Sequence, residues 1–82
     1  MDDTGADKQV AEVAALLRRA RIASHKSMHQ LARETGMNQV AVSRIEKGER
    51  SPTLRSVIKI AAALGLEFRL FAVSEKEGPP LE

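Results

Sequence analysis

The sequence predicts a compact all-α, four-helix domain, followed by a short C-terminal β-strand or, as the alternative, by a fifth helix. Apolar residues recur every three or four positions through residues 8–65, which is the helical period. Gly36, Gly48 and Gly65 stand where these apolar patterns stop, as expected for helix ends. The chain has 82 residues, which is enough for one domain with a small core.

The first two helices are predicted from an apolar stripe and from a capping pattern. A first amphipathic helix is expected over residues 8–24. Its apolar positions are Val10, Val13, Leu17 and Ala20. Ser27 and Gln30 have the spacing of a capping box, which predicts a second helix from Met28 to Thr35. Gly36 can adopt a positive φ and is expected to end that helix.

The third and fourth helices also have recognisable starts. Asn38 is a suitable N-cap for a third helix from Gln39 to Lys47. Met37, just before this cap, can pack on Val42 as a hydrophobic staple. Thr53 is expected to cap the fourth helix. The apolar stripe of the fourth helix is Leu54, Val57, Ile58, Ala61 and Leu64.

The period of the apolar residues changes after Gly65. Apolar and charged residues alternate through residues 66–73, which favours a strand. A lone strand leaves its backbone edge unpaired, so we expect it to pair with the same strand of a second copy. The residues expected in this dimer interface are Leu66, Phe68, Leu70 and Phe71. Flexible tails are expected at residues 1–7 and 74–82.

Charge is distributed unevenly along the chain. Residues 18–59 contain ten basic and three acidic side chains, a balance of +7, whereas both ends are net acidic. A positive middle attracts a polyanion to one part of the surface. Nucleic acid is the leading candidate, and the alternative is an ordinary solvated face.

The second and third predicted helices form a helix-turn-helix by geometry. The turn between them, Gly36-Met37-Asn38, is so short that it forces a sharp corner. Val42 and Ile45 supply the inward face of the third helix. Its outward face carries Gln39, Val40, Ser43, Arg44 and Lys47. Amide, hydroxyl, cationic and small apolar groups are those that read bases and phosphates in the DNA major groove.

This region resembles a known family. Residues 27–65, SMHQLARETGMNQVAVSRIEKGERSPTLRSVIKIAAALG, are similar to the helix-turn-helix of the lambda repressor, Cro and related Xre-type regulators. The shared features are Leu31-Ala32, Gly36, the run from Ser43 to Gly48, Pro52 and Leu64-Gly65. The resemblance implies that the third helix enters the major groove of double-stranded DNA, usually as a homodimer on a palindrome. The base-facing or groove-edge positions are then Asn38, Gln39, Val40, Ser43 and Arg44.

The resemblance also implies a structural ion pair between Arg21 and Glu46, and it exposes two departures from the family pattern. Met28 stands where the family very often has a glutamine that bonds DNA and braces the third helix. Val40 stands where a hydroxyl or amide residue is usual, so it can offer only apolar contact to a thymine methyl or remain a partly buried surface residue. Arg44 is expected to bind guanine or a phosphate.

Contacts to the DNA backbone are expected on both sides of the third helix. The candidate cations are Lys26, Lys47, Arg50 and Arg55. The alternative for each is a surface charge that only keeps the protein soluble. The exposed backbone amides around Ser27 and Met28, at the start of the second helix, are also expected to donate hydrogen bonds to DNA phosphates.

Neither a metal site nor an enzyme is expected. His25 and His29 are four residues apart, but the cap at Ser27 lies between them. A phosphate-binding loop and a catalytic carboxylate pair are both lacking, so no cofactor is expected. The core needs the apolar face of the first helix, which argues against a membrane role. Zero cysteines and an acidic N-terminus fit a cytoplasmic protein, associated with the bacterial nucleoid when bound to DNA.

The sequence therefore predicts a sequence-specific transcriptional regulator, most simply a repressor that binds a palindromic operator as a homodimer. The alternative is the antitoxin of a toxin-antitoxin pair, which neutralises a protein toxin and regulates its own operon. That alternative rests on residues 64–70 and the tail after them, which look like the end of HipB-type antitoxins. RNA binding is disfavoured, because we do not expect exposed aromatic residues that would stack on unpaired bases.

Overall fold

The computed structural model describes residues 4–71, and four helices form within this range. They are α1 (Thr4–Ala23), α2 (Met28–Thr35), α3 (Gln39–Glu46) and α4 (Leu54–Ala63). The predicted all-α fold class is therefore confirmed. The bounds of α2 agree with the prediction, and α3 ends one residue early because Lys47 is its C-cap.

The N-terminal end of α1 differs from the prediction. Residues 4–7 were expected in a flexible tail, but they form the first turn of α1. Gly5 to Gln9 are all exposed, so this turn needs no apolar stripe and leaves no periodic signal in the sequence. Asp7 lies in the first turn, where an acidic side chain interacts favourably with the helix dipole. Residues 1–3 lie outside the described range.

The predicted caps position the helix-turn-helix corner. Ser27 Oγ accepts a hydrogen bond from the Gln30 N–H at 3.0 Å. The second half of the expected capping box does not form, because the Gln30 side-chain amide donates instead to Glu34 Oε2 at 3.0 Å. Gly36 ends α2 with φ of +72°, a conformation that glycine adopts without steric cost. The local sequence therefore specifies where α2 starts and stops.

The starts of α3 and α4 follow the same logic. Asn38 Oδ1 accepts the Val40 N–H at 2.7 Å, and Thr53 Oγ1 accepts the Ser56 N–H at 3.0 Å. The two residues of the predicted hydrophobic staple both take part in the core. Val42 is completely buried, and Met37 packs against the same cluster while remaining partly exposed.

One hydrophobic core joins all four helices. Its buried members are Leu17, Leu31, Ala32, Val42, Ile45, Ile60 and Leu64. Leu31, Val42 and Ile60 have the largest fully buried side chains, and each contributes about 1.5–3 kcal/mol by leaving water. Because α2 and α3 each bury residues in this cluster, the core holds the corner between them rigid and turns the opposite face of α3 outward.

The segment after α4 forms neither a helix nor a paired strand over residues 66–71. The alternative of a fifth helix is therefore wrong for these residues. Gly65 has φ of +75°, and the Leu66 N–H donates to the Ala61 carbonyl at 2.7 Å, so the chain turns back and packs Leu66 against the core. A single copy offers no second strand, so the pairing remains a prediction. Residues 72–73 of the expected strand and the expected tail at 74–82 lie outside the described range.

None of the helices formed by residues 4–71 has the length and apolarity needed to cross a lipid bilayer.

Candidate nucleic-acid interface

The outward face of α3 is the centre of the candidate site. Val42 and Ile45 are buried, which fixes the rotation of α3 about its own axis. Gln39, Val40 and Arg44 are consequently exposed. Val40 is an unusual member of this face, because 56% of a β-branched apolar residue is open to solvent. The corner thus presents amide, apolar and cationic groups together on one helix.

Most of the residues predicted to contact DNA bases surround one shallow depression of about 380 Å³. Its lining residues are Met28, Gln39, Val40, Ser43, Arg44, Lys47 and Glu49. The depression joins the first residue of α2 to the exposed face of α3. Four of the five predicted base-contacting residues therefore lie together, and the predicted phosphate contact Lys47 lies beside them.

Asn38 is placed differently from the other four. Its side-chain oxygen caps α3 through the Val40 N–H, so that oxygen is already occupied. Asn38 lies in a neighbouring depression of about 310 Å³, shared with Arg50 and Ser51. Its structural role is to start α3, and a base contact by its side-chain oxygen would compete with that role.

An ion pair under the helix-turn-helix links α1 to α3. Arg21 Nε lies 2.7 Å from Glu46 Oε2, and Arg21 Nη2 lies 3.0 Å from Glu46 Oε1. The third nitrogen, Nη1, donates to the Lys26 carbonyl at 2.8 Å. Only 12% of the Arg21 side chain and 4% of the Glu46 side chain are exposed. Both residues face the protein rather than solvent, which is the placement expected of a structural pair.

Lys26, a predicted phosphate contact, forms two hydrogen bonds within the domain. Its Nζ lies 2.7 Å from Glu34 Oε1 and 2.7 Å from the Ala63 carbonyl oxygen. The ammonium group thus ties the loop before α2 to the C-terminal end of α4, where carbonyl groups lack helical donors. Hydrogen bonds from Lys26 and then Gln30 hold the pKa of Glu34 below its ordinary value of 4.5.

The other predicted backbone contacts remain open to solvent. Lys47, Arg50 and Arg55 are exposed, and none of them forms a salt bridge with another residue in the 4–71 range. The Ser27 hydroxyl caps the Gln30 N–H. The N–H groups of Met28 and its neighbour in the first turn of α2 have no acceptor within that helix. These groups are available to phosphate oxygens.

Arg18 extends the cationic surface, although the sequence reading did not single it out. It lines a depression together with Lys47 and Met28, next to the buried ion pair. Its position follows from the sequence spacing, because Arg18 lies three residues before Arg21 and therefore on the same side of α1. That side of α1 is identified as part of the site only by the contact between Arg21 and Glu46 of α3.

Glu49 is the acidic member of the depression at α3. Its backbone N–H donates to the Arg44 carbonyl at 2.9 Å, which fixes the chain where α3 ends. A carboxylate at this place repels phosphate but can accept a hydrogen bond from the amino group of cytosine. The depression therefore combines donors, an acceptor and an apolar part.

Comparison with known proteins agrees with this geometry. A family model described as helix-turn-helix matches residues 17–71. The chain is also 41% identical over 54 residues to an uncharacterized HTH-type transcriptional regulator, y4dL, of Sinorhizobium fredii (strain NBRC 101917 / NGR234). The aligned part covers 66% of this chain and only 28% of that relative. No solved structure matches the chain.

Proposed function

The chain belongs to the Xre-like helix-turn-helix family, and from this premise we propose that it is a DNA-binding transcriptional regulator that inserts α3 into the major groove. One observation carries the proposal. Gln39, Val40, Ser43 and Arg44 surround a single depression on the exposed side of α3, while the buried side of the same helix is anchored in the core.

The chemistry of the depression matches the major-groove edges of base pairs. Gln39 has the amide that pairs with adenine, and Arg44 has the guanidinium that pairs with guanine O6 and N7. The Ser43 hydroxyl can donate or accept a hydrogen bond. Base reading by Gln39 and Arg44 needs a rigid helix, since a displacement of about 1 Å breaks such bonds. The core contacts of Val42 and Ile45 supply that rigidity.

Backbone contacts would set the register on the duplex. Lys47 and Arg50 follow α3, and Arg18 on α1 lines a depression together with Lys47. Their charges carry no sequence information, but they make affinity dependent on salt because each neutralised phosphate releases counterions. With Lys26 engaged inside the domain, these cations and Arg55 are the proposed phosphate contacts.

The finer part of the proposal is a homodimer that represses transcription from an inverted-repeat operator. Phe68, Leu70 and Phe71 are 42%, 84% and 76% exposed, a concentration of large apolar side chains that is uncommon on a free surface. We place them in the interface with a second copy. Leu66 belongs to the core of its own subunit and is left out of this set. A twofold dimer would set two α3 helices about 34 Å apart, one turn of DNA.

An antitoxin function is the second candidate, and it depends on the same exposed residues. A partner protein instead of a second copy could cover Phe68, Leu70 and Phe71. The two functions share the DNA-binding surface and differ in what binds after α4. Co-expression with the product of the adjacent gene separates them, because an antitoxin co-purifies with that product and an autonomous repressor does not.

Selection of bound fragments from the source genome tests the proposed function. Full-length protein is incubated with sheared duplex at about 100 mM salt, and recovered fragments are sequenced. A regulator is expected to enrich an inverted repeat, with two half-sites about 10 base pairs apart. Recovery of fragments without any common sequence contradicts the proposal. The Lys8→Ala variant is a matched control, because it removes one exposed charge from α1 far along the chain from α3.

A further inference from the structure

The depression at α3 has an apolar part made by Met28 and Val40. These two residues come from different helices, and both line the same depression. Neither side chain has a strong hydrogen-bonding group. The other residues that line the depression, among them Gln39, Ser43 and Arg44, are polar or charged. The depression therefore has a polar part, which can hydrogen-bond to base edges, and an apolar part, which cannot.

Met28 is held in place rather than free on the surface. It is partly buried and packs against the hydrophobic core, so the depression keeps one firm apolar wall. Met28 also lines the adjoining depression above the Arg21–Glu46 pair. Met28 therefore packs against the core on one side and forms part of the outer surface of the helix-turn-helix on the other.

Val40 is the exposed apolar partner of Met28. It is the second residue of α3, within the first turn, and its N–H donates to Asn38 Oδ1 at 2.7 Å. A β-branched side chain in a helix has essentially one rotamer, so the two methyl groups of Val40 have a defined direction. The exposed apolar surface of Val40 is in contact with water. An apolar group of a ligand that covers this surface lowers the free energy of the complex.

We infer that Met28 and Val40 form a subsite for the 5-methyl group of a pyrimidine in the DNA major groove. The inference rests on the proposed function. Thymine O4 is an acceptor, but the distinguishing apolar feature of a T·A pair in that groove is its methyl group. The thioether side chain of Met28 adapts to the shape of a small apolar group, while Val40 provides the stiff side. Gln39 and Arg44 then read the neighbouring pairs.

The test uses the duplex recovered in the genomic selection and the full-length protein. Each thymine is replaced singly by deoxyuridine, which removes only the 5-methyl group and keeps every hydrogen bond. At one position in each half-site we expect about fourfold weaker binding, the effect of losing one apolar carbon from contact. The Val40→Ala variant is expected to bind the thymine and deoxyuridine duplexes nearly equally.

Variants at Met28 separate a methyl subsite from a purely structural residue. Met28→Leu keeps an apolar wall and is expected to retain the thymine preference, whereas Met28→Gln is expected to reduce it. Leu54→Ala removes an equally exposed aliphatic side chain outside this depression and is expected to leave the preference unchanged. Placing 5-methylcytosine in a C·G pair at the same position should strengthen binding over plain cytosine by a similar factor.

The outcomes are distinguishable from failure of the proposed function. If the wild-type protein binds the selected duplex tightly and no deoxyuridine replacement weakens it, the methyl subsite is wrong and the DNA-binding function stands. If the thymine preference survives in Val40→Ala, the methyl group is read elsewhere and the inference is overturned. If the protein binds no duplex, both the function and the inference fail.

Discussion

Arg21 in α1 and Glu46 at the end of α3 are joined by two hydrogen bonds, Nε to Oε2 at 2.7 Å and Nη2 to Oε1 at 3.0 Å. The two residues are 25 positions apart in the chain. The parallel pairing of the guanidinium and the carboxylate fixes orientation as well as distance. Through this contact α1 holds the C-terminal end of α3 in position.

The Glu46→Ala variant is expected to lower the free energy of unfolding by about 3 kcal/mol, because it leaves the mostly buried Arg21 charge without its partner. Urea unfolding followed by circular dichroism measures the change. The control is Glu67→Ala, which breaks the exposed pair with Arg69 and should cost no more than about 0.5 kcal/mol. A Glu46→Ala variant with the unfolding midpoint of the wild type and an altered operator preference would assign Glu46 to recognition instead.

The Arg44→Ala variant is expected to weaken specific DNA binding by about 1 to 3 kcal/mol with little change in stability. Arg44 is exposed, lines the depression at α3 and forms no salt bridge with the described part of the chain, so its removal disturbs no internal contact. Fluorescence anisotropy with the selected duplex measures the loss. Lys8→Ala serves as the control for charge. Equal binding by the Arg44→Ala variant and the wild type removes Arg44 from the site.

The Lys47→Ala variant is expected to weaken binding to all duplexes similarly, because a phosphate contact is independent of sequence. The slope of log affinity against log salt concentration should become shallower by about 1. Titrations at four or more salt concentrations, with specific and unrelated duplexes, measure both effects. A loss confined to the specific duplex, with an unchanged slope, would show base reading by Lys47.

Acidification is expected to weaken the link that Lys26 makes between α2 and α4. The pKa of Glu34 in the folded protein lies below 4.5, so its charged form contributes stability above that pH. This contribution is lost as the pH falls through the lowered pKa. The melting temperature of the wild type should therefore drop more steeply below pH 4.5 than that of Glu34→Gln. Parallel curves for the two proteins would contradict the prediction.

Deletion of the chain from Glu67 onward is expected to give a folded monomer that binds DNA weakly. The deletion keeps Leu66 on the core and removes the exposed Phe68, Leu70 and Phe71. Sedimentation velocity measures the oligomeric state. The full-length triple variant Phe68→Ser, Leu70→Ser, Phe71→Ser checks that the side chains, rather than chain length, are responsible. A truncated chain that still sediments as a dimer would exclude this segment from the interface.

The features that the sequence predicted correctly are those set by neighbouring residues. The N-caps Ser27, Asn38 and Thr53 form as expected, because each bonds an N–H two or three residues away. The helical turn at residues 4–7 was missed for the opposite reason. Gly5, Ala6 and Asp7 are exposed, and nothing in the composition of this turn repeats with the helical period.

By itself, the sequence determined the four helices, their caps and the corner that turns α3 outward, since local hydrogen bonds and apolar spacing are encoded within a few residues. Only the tertiary structure decided the role of Lys26, whose partners Glu34 and Ala63 lie 8 and 37 positions away. It also brought Met28 beside Val40 from separate helices. Contacts between distant residues depend on how helices pack, and that packing is a property of the whole core.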